Sequence, residues 1–178
     1  AFQNFDMQAE EGVADNAEIF VQDMFDEIAR QNEKYGITFD EDLAWLFSEE
    51  SSDTYTWLRD LGFEFNRFLP RPKQHSVKRM IDVKDTTMFT SLFEKALETA
   101  GVKVITETRV RRLLTLNESV VGVATDTASY KAKKAVVLAT GGYQANPEIR
   151  IKYQPEIMAS TPYLGTEHDV GDGHLMGQ

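Results

Sequence analysis

The sequence predicts an α/β chain in which helices come first and strands follow, and three observations carry that expectation. Apolar residues recur at helical spacing through the first hundred positions. After Gly101 the period falls to about two, the alternation of a half-buried strand. Near the end, "AVVLA" (135–139) is a continuous apolar run, as a strand covered on both faces requires.

The helical half reads in order. "DNAEIFVQDMFDEIARQNEKYG" (15–36) is an amphipathic helix with Asp15 or Asn16 as its cap and Gly36 as its stop. Ile19, Phe20, Met24, Phe25 and Ile28 form its apolar stripe. A second helix begins at Asp40 with Leu43, Trp45, Leu46 and Phe47. A third, "SSDTYTWLRDLG", ends at Gly62 and groups Trp57, Leu58 and Leu61. Both tryptophans fall on apolar faces and are expected in the core. Pro70 and Pro72 then stop any helix and leave a basic loop through 63–84. Helix resumes in "DTTMFTSLFEKALETAG" (85–101), capped by Asp85, with Met88, Phe89, Leu92, Phe93, Ala96 and Leu97 on its buried face.

In the strand half, "VKVITET" (102–108) reads as a strand, and "VRRLLTL" with "VVGVATD" as a hairpin turning at Asn117-Glu118. "SYKAKK" adds a further short strand. The expected division is a helical segment with a basic loop, 1–84, followed by a sheet-bearing part, 85–178.

Composition narrows the function. The 178 residues suffice for one substantial domain or part of a larger one, and 42% hydrophobic residues support a real core. The net charge of −10 argues against nucleic acid as a partner. Absence of cysteine excludes disulfides, thiolate metal sites and cysteine nucleophiles, and the three histidines, His75, His168 and His174, stand too far apart to suggest a metal site. No apolar run reaches the roughly 18 residues of a membrane span. The start, "AFQNFDMQAEEG", lacks the features of a signal peptide and reads as the interior of a longer polypeptide. Residues 1–60 carry sixteen acidic against three basic residues, whereas 66–84 carry six basic residues against Asp82 alone. Solvated helix faces account for the acidic excess.

Two glycine clusters stand out. A buried strand running into Thr140-Gly141-Gly142 removes side chains where the carboxyl end of a sheet emerges, the usual ligand edge of open α/β folds. Gly171-Asp172-Gly173 offers a carboxylate between two more glycines. Each cluster taken singly is ordinary turn chemistry; the alternative is close approach of the main chain to a bulky polar ligand.

The ordered set "VKVITETRVRRLL", "SVVGVATD", "AVVLATGGYQANPEIRIKY" and "VGDGHLMG", with "TYTWLRDLGFEF" upstream, resembles the fumarate reductase/succinate dehydrogenase flavoprotein family. That family includes soluble fumarate reductases, urocanate reductases, 3-ketosteroid dehydrogenases and L-aspartate oxidases. The resemblance implies part of a Rossmann-like FAD-binding domain with N-terminal helices and an inserted antiparallel β-hairpin layer. It implies FAD as cofactor, with Val110 near the adenine, Ala139, Thr140, Gly141 and Gly142 along the dinucleotide, and Asp172 in polar contact with it. It further implies hydride transfer to or from an activated carbon–carbon bond in an unsaturated carboxylate or enone; a bacterial source is expected, and the compartment, cytoplasm or periplasm, is left open.

The family's GxGxxG-type phosphate loop does not occur in the sequence. Its substrate-binding His, Thr-Glu pair and general-acid Arg lie after the Gly-Asp-Gly helix, so no catalytic residue is assigned and the chain by itself is expected to be inactive. It is also expected to self-associate through an uncovered sheet edge. In "RPKQHSVKR", which departs from the family pattern, Arg71 and His75 are either substrate-side residues or parts of a solvated loop. His168 and His174 read as surface residues. The competing reading is a stand-alone α+β interaction module without a cofactor.

Overall fold

The structure is a computed structural model and describes residues 1–155 and 161–178. It comprises two compact units, 1–104 and 105–178. Helices combine with two small antiparallel sheets, a mixed α/β composition.

The first unit holds α1 (Asp6–Glu10), α2 (Ala17–Tyr35), α3 (Glu41–Asp60), β1 (Phe65–Phe68), β2 (Ile81–Val83) and α4 (Met88–Thr99). Local signals set the helix ends. Asn16 caps α2 by accepting from the Ile19 N–H, and Gly36 closes it in the left-handed region at φ 60°. Asp40 caps α3 by accepting from the Asp42 and Leu43 N–H groups. Asp85 accepts from the Thr87 N–H and hydroxyl just ahead of α4. The basic loop is more ordered than expected, because β1 and β2 pair as an antiparallel ladder at its two ends.

Three expectations fail in this unit. The second and third helices are one continuous helix, α3, whose interior contains no glycine or proline to break it. Its inward face is Ser48, Ser51 and Tyr55, whereas Leu43, Leu46, Phe47 and Trp57 are at least half exposed. The serines allow close approach to α2: Ser48 donates its hydroxyl to the Ala17 carbonyl at 3.0 Å. Trp45 and Trp57 are therefore not core residues. No side chain of α4 is fully buried either, although Phe89 and Phe93 pack on buried Phe63. The core is instead aromatic and lies around Phe5, Phe20, Val21, Tyr55 and Phe63.

The second unit holds β3 (Val110–Leu116), β4 (Ser119–Thr125), β5 (Ser129–Lys131), α5 (Pro147–Tyr153) and α6 (Asp172–Met176), with the strands in the order β3-β4-β5. The β3–β4 hairpin turns at Asn117 and Glu118, both at positive φ (48° and 64°), as a two-residue hairpin loop with the right twist requires.

Neither "VKVITET" nor "AVVLA" is a strand here. A strand exists through lateral hydrogen bonds, and among the described residues no segment pairs with either stretch. Val104 is 57% exposed and Val137 85% exposed, so the apolar run is uncovered rather than sandwiched.

Candidate functional site

Both glycine clusters flagged by the sequence lie in the second unit, and the fold brings them together. The Gly171 N–H donates to the Gly142 carbonyl at 3.0 Å, and the Ala145 N–H donates to the Asp169 carbonyl at 2.9 Å. The Gly173 N–H donates to Thr140 Oγ1 at 3.1 Å. Asn146 completes the junction: its Nδ2 donates to the Val170 carbonyl at 3.0 Å while its Oδ1 caps α5.

Glycine is required here for closure of one loop on the other. A Cβ on Gly173 would stand 2.2 Å from Thr140 Oγ1, and one on Gly171 would stand 2.6 Å from Ile149 Cδ1. Both positions are buried. The space beside Gly171 and Gly173 is thus filled by the chain itself, which corrects the idea that these two glycines leave a path for a ligand.

The other part of the junction is the stretch 137–142. Residues 137–141 are exposed, Gly141 has φ 70°, and among the described residues no hydrogen bond uses the N–H of Thr140, Gly141 or Gly142. The side chains of Asp169 and Gln144 border Gly141 and Gly142, and the N–H groups of 140–142 are main-chain donors of the kind that backbone recognition of a polar ligand uses.

Asp172, the first residue of α6, receives two parallel hydrogen bonds from Arg109: Nε to Oδ2 at 2.8 Å and Nη2 to Oδ1 at 2.7 Å. This bidentate contact holds the Asp172 carboxyl below its ordinary pKa. The side chains are 53% and 29% exposed. Val110 follows Arg109 directly and opens β3, pairing with Thr125. α6 packs against β3, so Val110, Thr140, Gly141, Gly142 and Asp172 belong to one neighbourhood, with Ala139 at its exposed margin. Arg109 was missed by sequence reading. Its one sequence signal was its place beside Val110.

Arg71 and His75 belong to the first unit, where they line a cavity of about 410 Å³ with Asp23, Asp26 and Arg30. Arg71 donates to the His75 carbonyl. His75 is half-buried against Phe20, and burial pushes its pKa down. Arg79, unremarkable within the basic run, is fully buried and paired with Asp15 and Asp23. His168 and His174 are exposed, the latter edge-on to Tyr143. Among the described residues no three His, Cys, Asp or Glu side chains gather to hold a metal.

Residues 5–177 match the family described as FAD binding domain. The chain belongs to this family. FAD is the cofactor that the family's description names, and the reading as a cofactor-free interaction module is set aside. Among relatives of this FAD-binding domain, NADH:acrylate oxidoreductase of Vibrio harveyi is 27% identical over 152 residues, covering 77% of the chain and 15% of that protein. The probable fumarate reductase Ifc3 of Shewanella frigidimarina (strain NCIMB 400) is 28% identical over 191 residues, covering 96% of the chain and 29% of that protein. The open conformation of a flavocytochrome c3 fumarate reductase superposes with a TM-score of 0.81 at 28% identity, over 99% of the chain and 32% of that structure. The chain thus spans less than a third of each of these proteins. The fold is that of the corresponding part of a fumarate reductase, and no helix among the described residues is long and apolar enough to cross a membrane.

The donors and acceptors at this junction are of the chemical kind that suits a dinucleotide. The free main-chain donors at 140–142 suit its polar groups, and the partly exposed Asp172 carboxylate retains acceptor capacity. Gly171 and Gly173 are occupied by protein.

Proposed function

We propose that this chain forms part of the flavin site of an oxidoreductase acting on the carbon–carbon bond of an unsaturated carboxylate or enone. The observation that carries the reading is the family match across 5–177 on a chain whose Thr140-Gly141-Gly142 stretch is hydrogen-bonded to Gly171 and Gly173, the two neighbours of Asp172. Relatives named for fumarate and for acrylate support the substrate class.

When bound, FAD supplies the hydride chemistry. The chain's own residues bind and orient. The N–H groups of Thr140, Gly141 and Gly142 would donate to the cofactor's polar groups, with Ala139 alongside. Asp172 would accept from a hydroxyl, and the main chain at Val110 would meet the adenine. No residue here is assigned to substrate protonation, and the chain alone is inactive.

The test is to purify the full-length protein and record its absorption spectrum, then assay oxidation of a reduced dye with fumarate and with acrylate. Expected is a yellow protein with dye oxidation by at least one of them. A colourless protein that takes up no added FAD would overturn the reading.

A further inference from the structure

An ion pair joins the entry to β3 with the Gly-Asp-Gly turn, and that turn is itself hydrogen-bonded to Thr140 and Gly142 of the other glycine turn. The two turns are bound to each other by backbone and hydroxyl contacts, which fix where the Asp172 Cα lies but leave its side chain free to rotate. Arg109 removes that freedom. Its Nε and Nη2 hold both carboxylate oxygens at 2.8 and 2.7 Å, a planar two-point contact that specifies orientation as well as position. Arg111, two residues on, is committed elsewhere, to Asp126 at 2.9 Å.

We propose that Arg109 is a positioning residue for FAD, holding the Asp172 carboxylate at the Thr140–Gly142 turn so that it meets a cofactor hydroxyl with its charge already compensated. This rests on the FAD reading above. The chemistry follows from the acceptor count. An ionised carboxylate has about four acceptor directions, and the guanidinium takes two. The remaining two are available to neutral hydroxyl donors, and the Asp172 side chain is 29% exposed. A dinucleotide carries both such hydroxyls and an anionic pyrophosphate. A bare carboxylate beside that anion would repel it; a carboxylate paired with Arg109 does not. The ion pair is itself half exposed, so it contributes little to stability by itself. Its expected effect therefore falls on cofactor affinity more than on melting.

The experiment uses the full-length protein freed of flavin and titrated with FAD, following flavin fluorescence, with the melting temperature of each flavin-free variant measured alongside. Arg109→Ala is expected to weaken FAD binding about tenfold or more. Arg109→Lys should fall between, because a point charge keeps the compensation but loses the two-point hold. Adding Asp172→Asn to Arg109→Ala should recover part of the lost affinity by removing the uncompensated charge, while flavin-free melting temperatures stay within a few degrees, about the range expected of a half-exposed pair. If wild type binds FAD and both single Arg109 variants match it within about twofold, the positioning role is overturned and the FAD reading stands. Affinity losses that merely track losses in melting temperature, with no recovery in the double variant, also overturn it. A wild type that binds no FAD overturns both. Should Arg109→Ala fail to fold, Arg109→Lys and the double variant decide.

Discussion

Arg79 is the residue whose removal the first unit should tolerate least. Its side chain is 0% exposed, as is that of Asp15, and Asp23 is 12% exposed. Nε and Nη2 donate to the two oxygens of Asp15, each at 2.7 Å, Nη1 donates to Asp23, and the guanidinium lies 4.5 Å from the Phe20 ring centre. Burial alone would lower its pKa, but the hydrogen bonds that it donates to the two carboxylates outweigh that and the net shift is upward. Removing one partner of a buried ion pair costs about 3–5 kcal/mol, chiefly because a charge is left buried without compensation. Here the stranded carboxylates keep other donors. Gln8 Nε2 still reaches Asp15 at 2.9 Å, and Asp23 still accepts from the Ser76 N–H at 2.8 Å. The low end therefore applies to Arg79→Ala, about 3 kcal/mol. With a urea m-value of about 2 kcal/mol/M, the midpoint falls by about 1.5 M. Trp45 and Trp57, the two tryptophans of the sequence, both lie on α3, so their fluorescence reports this unit. Arg79→Met combined with Asp15→Asn and Asp23→Asn should regain much of the loss, since no charge stays buried. A midpoint shift under about 0.5 M for Arg79→Ala, a third of that derived from the usual m-value, would refute the reasoning. So would a triple variant no more stable than the single.

Tyr55 is pushed up to about 12 by burial and by its hydrogen bond to the Asp6 carboxylate. Its contribution to stability is complete below the unfolded phenol pKa of about 10 and is lost as pH rises from there through 12. Ultraviolet titration should show one of the six tyrosines ionising last, and Tyr55→Phe should abolish that component; an unchanged titration would contradict the assignment. The uncovered run with Val137 85% exposed should make the isolated 178-residue chain dimerise or associate further, and Val137→Lys should shift it toward monomer. Light scattering showing a stable monomer before any substitution would count against it.

What could be read in advance was local. The Asn16 and Asp40 caps act on N–H groups two or three residues away, and the Asn117-Glu118 turn depends on two adjacent backbone conformations. Such signals are contained in a few contiguous residues: of the two cap candidates Asp15 and Asn16 the structure uses Asn16, the next helix starts from Asp40 as expected, and the hairpin turns at the expected pair. The failures concern partners. "AVVLA" has the composition of a buried strand, yet a strand needs neighbours that periodicity does not supply. α3 shows the same limit, since Leu43, Leu46, Phe47 and Trp57 are exposed while Ser48 and Ser51 are buried, and only the packing of neighbours such as α2 decides which face is covered.

The candidate site divides in the same way. The glycine clusters, Asp172 and the ordered run of strand, hairpin and turns are visible in the primary sequence, and they suffice to indicate the family. That Gly173 must yield room to Thr140 Oγ1, that Arg109 rather than Arg111 grips Asp172, and that Arg79 alone of six neighbouring cations is buried are matters of tertiary structure. Arg109 and Asp172 are 63 residues apart. Nothing in a backbone preference or a hydrophobic period couples positions so distant; their pairing is set when packed elements bring opposite charges within hydrogen-bonding reach.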